Sequence, residues 1–142
     1  GLPGDVIQFI DGDLYLNDNQ ILKTKINSNA KIYCGNLKIK PRFFQEKLPN
    51  GVIYNSVYDI YNTYHQSDKF IVPEDHFFFL GDNRDCSKDS RYLTSVGYVH
   101  KDNLVGKAQI IFFSTNRKNG SIFEFWNWKK IIRIDRFFKI IK

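Results

Sequence analysis

Cysteine, histidine and alanine are all scarce in this chain, and it has no long apolar run. The only cysteines are Cys34 and Cys86, and the only histidines are His65, His76 and His100. There is no Cys-x-x-Cys and no paired histidine, so no zinc-site pattern is present. No histidine has a neighbour at triad-like spacing, which sets a histidine-based hydrolase aside. A Cys34–Cys86 disulfide is open to the chain in an oxidising compartment, but nothing in the sequence brings the two together, so free thiols are favoured and the sequence leaves their redox state open. No run approaches about 18 apolar residues and no charged-then-apolar leader opens the chain, so neither a membrane span nor a secretion signal is read from it.

What is abundant is aromatic: thirteen Phe, eight Tyr and two Trp can supply the core area that alanine does not. A chain of 142 residues is of single-domain size and needs neither metal nor disulfide merely to fold. The net charge of +6 resembles a nucleic-acid signature until its position is read. From Arg117 to Lys142 there are eight basic residues against Glu124 and Asp135, which accounts for the whole +6, so the rest is neutral. A charge confined to one tail argues against a basic groove across the fold, and no nucleic-acid partner is expected.

The strand pattern begins early. Gly1-Leu2-Pro3-Gly4-Asp5 has turn chemistry, and Val6 to Ile10, Asp11-Gly12 and Leu14 to Leu16 form the Asp-Gly hairpin signal. Ile21 to Ile26 and Lys31 to Tyr33 read as short strands. Lys38 to Lys47 and Val52 to Tyr58 flank a Leu48-Pro49-Asn50-Gly51 turn, giving a second hairpin. Tyr54, Tyr58, Tyr61 and Tyr64 are better read as packing on a sheet or filling a loop than as a stacking platform. Val96 to His100 and Leu104 to Phe113 are also strand-like, and the whole is predicted to be mainly β with antiparallel sheets. Near the end the period changes: Ile134, Phe137, Phe138 and Ile141 share one face, with Arg133, Arg136 and Lys139 outside it. That spacing predicts a basic amphipathic helix, with Trp126 and Trp128 just before it, suited either to an anionic membrane surface or to docking on its own domain.

One stretch stands apart. After the apolar run Phe77 to Leu80 comes Gly81-Asp82-Asn83-Arg84-Asp85-Cys86-Ser87-Lys88-Asp89-Ser90-Arg91. An apolar strand delivering a dense polar loop is a common site design, although the same residues also favour plain turns. A calcium loop does not fit, because Arg84 and Lys88 neutralise the carboxylates and the Asp-x-Asp-x-Asp-Gly order is absent, so no metal is expected. Ion pairs Asp82/Arg84 and Asp89/Arg91 are the better account, holding a rigid frame around Ser87. Ser87 could be a nucleophile or could hydrogen-bond another group's base. The loop alone does not choose.

Taken with Gly1 to Asp5, Gly97-Tyr98-Val99 and Asn103-Leu104-Val105-Gly106-Lys107-Ala108, the loop resembles in order and spacing the bacterial signal peptidase I (leader peptidase) family. Its Gly-Asp-Asn-Arg-x-x-Ser-x-Asp-Ser-Arg pattern is matched at every fixed position. The likeness runs over nearly the whole chain and weakens between about Thr24 and Lys69, where the family carries a variable inserted β region. The resemblance implies a serine endopeptidase that uses a lysine general base to cut signal peptides from exported preproteins after small residues. It implies that Ser87 hydrogen-bonds that lysine, with Gly81, Asp82, Asn83, Arg84, Asp89, Ser90 and Arg91 bracing the loop and Gly1, Pro3, Gly4 and Asp5 supporting the site. No cofactor is implied.

The sequence departs from the family in one respect. The family's nucleophile lies in a Ser-Met-x-Pro-type motif and its lysine in Lys-Arg-x-x-Gly-x-Pro-Gly-Asp, four positions before the glycine matching Gly1. Both fall before Gly1. Residues 1–142 are therefore expected to be the C-terminal part of a periplasmic catalytic domain at the bacterial inner membrane, inactive alone. Apolar strands and the basic tail would contact the membrane, and an uncovered sheet edge would permit association. The alternative is a non-catalytic module that binds preproteins or membranes.

Overall fold

The computed structural model describes residues 1–60, 64–115 and 125–141. Tyr61 of the tyrosine series and Arg117, Lys118, Glu124 and Lys142 of the basic tail lie outside the described residues. Two compact units are present, Gly1–Leu104 and Val105–Lys142.

The first unit is built from antiparallel strands, as predicted. β1 (Val6–Ile10) pairs with β2 (Asp13–Leu16) through the Asp11-Gly12 turn, whose two residues both have positive φ, 51° and 80°. That geometry matches the twist of the flanking strands, which is why Asp-Gly signals a hairpin. Asn17 and Asp18, at φ 52° and 60°, make a second turn of the same kind into β3 (Asn19–Gln20). β9 (Phe70–Ile71) pairs with the other edge of β1, giving the order β3-β2-β1-β9. Alternation along β1 sends Ile7 and Phe9 inward, where they meet Leu14, Ile21, Phe70, Val72 and Phe78. Burying Phe9 completely contributes about 1.5–3 kcal/mol of transfer free energy.

A second sheet has the order β4-β7-β8, formed by β4 (Leu22–Ile26), β7 (Pro41–Lys47) and β8 (Ile53–Asp59). The Leu48-to-Val52 turn joins β7 to β8 as read from sequence, with Gly51 at φ 84° and Leu48 N–H donating to the Val52 carbonyl at 2.9 Å. Between β4 and β7 lies a small hairpin of β5 (Tyr33–Cys34) and β6 (Leu37–Lys38). Short β10 (His76–Phe77) and β11 (Val99–His100) pair with each other.

The second unit departs from expectation. The predicted amphipathic helix over 133–141 does not form; helix α1 is Trp128–Ile131, followed by a 3-10 turn at Ile134–Arg136. Phe138 adopts φ 57°, outside the helical region, and its N–H donates to the Ile111 carbonyl at 2.7 Å. β13 (Lys139–Ile140) pairs with β12 (Ile110–Ile111), so the backbone groups a helix would have used internally are spent on a ladder. Of the strand-like stretch from Leu104 to Phe113, only those two β12 residues are strand.

Candidate functional site

The polar loop is fastened to β8. Val57 N–H donates to the Asp82 carbonyl and Arg84 N–H to the Val57 carbonyl, both at 2.8 Å, a parallel bridge centred on Val57 and Asn83. Asn83 then turns the chain: its carbonyl accepts from Cys86 N–H at 3.1 Å and Ser87 N–H at 2.8 Å. At the far end Ser90 exchanges hydrogen bonds with Phe79, accepting from Phe79 N–H on Oγ at 2.9 Å and donating its own N–H to the Phe79 carbonyl at 3.1 Å. Both ends of the loop are thus closed by backbone and hydroxyl bonds.

Ser87 is pressed against Gly81. A Cβ on Gly81 would lie 2.1 Å from Ser87 Oγ, so no other residue fits there without displacing the serine. Gly81 is held in turn, its N–H donating to Asp89 Oδ2 at 2.9 Å. Asp89 takes a bidentate pair from Arg91, Nε to Oδ1 at 2.8 Å and Nη2 to Oδ2 at 2.9 Å. Burial pushes the Asp89 carboxyl up, but the bonds from Arg91 and Gly81 outweigh it and its pKa is held below the ordinary carboxylate value. The expected Asp89/Arg91 pair is therefore present and buried. Arg91 Nη2 also reaches the Arg84 carbonyl, and its guanidinium lies 5.6 Å from the Phe9 ring.

The Asp82/Arg84 pair is a correction. Arg84, 2% exposed, reaches instead to Glu46 on β7, Nη2 to Oε2 at 2.7 Å. Residues 82–84 lie along β8 through the bridge at Val57 and Asn83, and the Arg84 partner comes from the neighbouring strand β7. Asp82 contributes its carbonyl to the β8 bridge. Glu46 accepts from Tyr54 OH on Oε2 at 2.8 Å, and from Ser56 Oγ at 2.8 Å and Tyr58 OH at 2.9 Å on Oε1. Burial pushes its carboxyl up, yet Arg84 and the three hydroxyls together hold it below the usual range. Tyr54 is pushed up to about 12 by burial and by the Glu46 charge. Of that series, Tyr54 and Tyr58 lie on β8 as read, and both also serve a buried charge.

Glu46 is the residue sequence reasoning missed. A signal existed: it shares a face of β7 with Phe44 and pairs with Tyr54, while Tyr54, Ser56 and Tyr58 share one face of β8. An acid on an otherwise inward face asks for a partner. Asp85 was also unassigned; its Oδ2 accepts from Asp59 N–H at 2.6 Å and its Oδ1 from Tyr64 N–H at 3.1 Å. Burial pushes the Asp85 carboxyl up and outweighs those two bonds.

Of the two states the sequence left open for Cys34 and Cys86, the structure has the less favoured one. They form a disulfide across 52 residues, tying the residue before Ser87 to the β5–β6 hairpin. No local pattern encodes a contact between two residues so far apart in the chain. At the start of the chain, Gly4 at φ 83° makes the predicted turn, and the Asp5 carboxylate accepts from Leu2 N–H at 2.7 Å and Asn17 Nδ2 at 2.8 Å. Gly1 lies beside Phe78, whose N–H donates to the Gly1 carbonyl at 3.0 Å. A cavity of about 240 Å³ opens there, apolar along Ile7, Leu14 and Leu80 and polar at Asp82 and Arg84. Arg84 Nε has no partner among the described residues.

The signal peptidase, peptidase S26 family model matches residues 1–113. Signal peptidase I of Rickettsia typhi is 40% identical over 98% of this chain and 56% of its own length. That of Rickettsia conorii is 47% identical over 81% of this chain and 44% of its own, and that of Rickettsia prowazekii 39% identical over 98% and 56%. The chain spans about half the length of the curated relatives it matches. Because the match runs unbroken from the Gly1–Asp5 turn through the braced loop, in a mainly β chain of the kind the pattern predicts, the chain belongs to the signal peptidase S26 family.

Proposed function

We propose that this chain is the base-supporting part of a membrane-bound signal peptidase I, a serine endopeptidase that removes signal peptides from exported preproteins after small residues. The nucleophilic serine and the lysine base of the Ser/Lys dyad would come from sequence outside these 142 residues, and the chain alone would be inactive. Ser87 would donate or accept the hydrogen bond that aims the lysine amine, and Gly81, Asp82, Asn83, Arg84, Asp89, Ser90 and Arg91 would hold that aim. Gly1, Pro3, Gly4 and Asp5 would set the path of the chain next to it.

The observation that carries this reading is the packing of Ser87 on Gly81, with the glycine itself tied to a buried Asp89–Arg91 pair. Ser87 is held through its backbone by the Asn83 carbonyl, and its hydroxyl lies against Gly81. A lysine base must be neutral near pH 7, which an apolar surrounding favours by penalising the charged amine, and a hydrogen bond from a fixed hydroxyl then orients it. The apolar cavity beside Gly1 and Leu80 is consistent with such a surrounding.

The second unit supports contact with the membrane surface of the exporting, inner membrane, on its periplasmic side. Trp126, Phe125 and Phe138 are about 70% exposed beside Lys129, Lys130, Arg133 and Arg136. Aromatic rings flanked by basic residues suit the headgroup region of an anionic bilayer. The same exposed surface is what favours the second reading, a non-catalytic module binding membranes or preproteins, and an uncovered sheet edge would permit self-association.

A preprotein-cleavage assay separates the two. The 142-residue chain should give no turnover, and a longer polypeptide with Ser-Met-x-Pro and Lys-Arg-x-x-Gly motifs upstream should cleave. In that longer protein Ser87→Ala should lower kcat while circular dichroism is unchanged. Turnover by the chain alone, or a wild-type rate in Ser87→Ala, would overturn the roles assigned.

A further inference from the structure

Glu46 lies on β7, in the region read from the resemblance as inserted and far in sequence from the loop, yet it is the centre of a densely connected buried polar group in the first unit. It is 1% exposed and receives four hydrogen bonds, from Tyr54, Ser56, Tyr58 and Arg84. Arg84 is held from three directions, since its Nη1 also donates to Tyr58 OH at 3.0 Å and its Nη2 to Tyr54 OH at 3.2 Å. From Arg84 the connection continues: its carbonyl accepts from Arg91, Arg91 clamps Asp89, Asp89 accepts from Gly81 N–H, and Gly81 carries Ser87 against it. Every step is a hydrogen bond, an ion pair or a direct packing contact between buried or half-buried groups.

A plain structural acid does not require this. Burying a carboxylate and a guanidinium together gives little net stability, because desolvation offsets their attraction, and an apolar pair of similar volume is often at least as stable. What such a pair does supply is one geometry. The three hydroxyls fix the carboxylate plane, and the carboxylate then fixes the guanidinium that carries the Arg84 backbone.

We infer that Glu46 is a positioning residue for the candidate site: through Arg84 and the Arg91–Asp89 clamp it sets where Ser87 Oγ stands. The inserted β-hairpin of β7 and β8 is then part of the site's framework as well as a variable addition. This inference rests on the reading of Ser87 given above, and the tests keep the two apart.

The first test needs no catalysis. In the 142-residue chain, Glu46→Gln keeps the shape but removes the charge opposite Arg84. Amide hydrogen exchange should quicken at Arg84 and Ser87 while Ile7 and Phe9 in β1 keep their protection. Equal acceleration at all four amides, or none at any, would overturn the inference.

The second test is a double-mutant cycle in the longer, dyad-containing protein. Glu46→Gln should lower kcat about tenfold with KM within about twofold, and in a Ser87→Ala background the same change should alter kcat by less than about twofold. Independent, multiplicative losses would overturn the inference and leave the role of Ser87 standing. If Ser87→Ala alone leaves kcat unchanged, the functional reading fails first.

A third variant guards against simple misfolding. Glu46→Met with Arg84→Met replaces the pair by apolar groups of similar volume, and should recover the melting temperature lost in Glu46→Gln without recovering kcat. Recovery of both would show that the pair serves stability alone.

Discussion

The loop at 81–91 and the stretch at 125–141 invert the usual relation between polarity and burial. The loop is among the most polar stretches of the sequence, yet Arg84, Asp89, Ser90 and Arg91 are all buried. The later stretch carries Phe125, Trp126, Trp128, Ile134, Phe138 and Ile140 and leaves all six exposed. Polar groups can be buried when each finds a partner, and the loop finds them in β7, β8 and itself. Apolar groups stay outside when the local chain is too short and irregular to fold a face over them, as where a four-residue helix gives way to a 3-10 turn and a two-residue strand. The difference separates a stretch shaped from within from one that presents its apolar side chains outward.

Breaking the buried side of the comparison should have the largest effect. Arg84→Met leaves Glu46 as a buried carboxylate without its cation, and loss of one partner of such a pair is expected to cost about 3–5 kcal/mol, read as a lower urea midpoint at unchanged slope. Reducing the disulfide, or Cys34→Ser with Cys86→Ser, should remove about 2–4 kcal/mol by releasing a long closed loop in the unfolded state. A reductant-insensitive melting temperature would contradict the pairing.

Gly81→Ala should cost about 1–3 kcal/mol as an overpacked contact, because the new methyl meets Ser87 Oγ. In the longer protein the same change should depress kcat far more than it depresses stability.

Acid should act on the loop in a definite direction. Asp89 and Glu46 both have lowered pKa values in the folded state, so the stability they contribute is present above their unfolded values of about 3.9 and 4.3 and is lost as pH falls through the folded ones. Asp85 runs the other way, its raised pKa giving stability at low pH that is lost as pH rises. Urea titrations from pH 6 to pH 3 should show a net fall, and Glu46→Gln should flatten it.

The smallest stability effect belongs to the exposed side. Trp126→Ser with Phe138→Ser should change stability by no more than about 0.5 kcal/mol. The same pair should weaken co-sedimentation with vesicles containing anionic lipid, and unchanged binding would remove the membrane role from this surface.

Much of the first unit was legible because its signals are local. Asp11-Gly12 and Leu48-Pro49-Asn50-Gly51 are turns whose dihedrals those residues favour, and the alternation of Ile7 and Phe9 needs only the period of a strand. Asp89/Arg91 was also readable, since both partners lie in one tight loop. The spacing of Ile134, Phe137, Phe138 and Ile141 was readable too and led to a helix that is not there, because a helical period over nine residues is too short to outweigh a competing ladder with β12.

By itself the sequence determined the family, the strand-rich class and the loop that would carry a site, all written in contiguous residues and turn chemistry. Only the tertiary structure decided which partners meet from different strands. Arg84 passes over Asp82 for Glu46, Cys86 finds Cys34, and Ser87 comes to rest on Gly81. Those choices depend on distances between strands that are far apart along the chain. A side chain's nearest neighbour in sequence is often not its nearest in space, and burial makes the spatial one count.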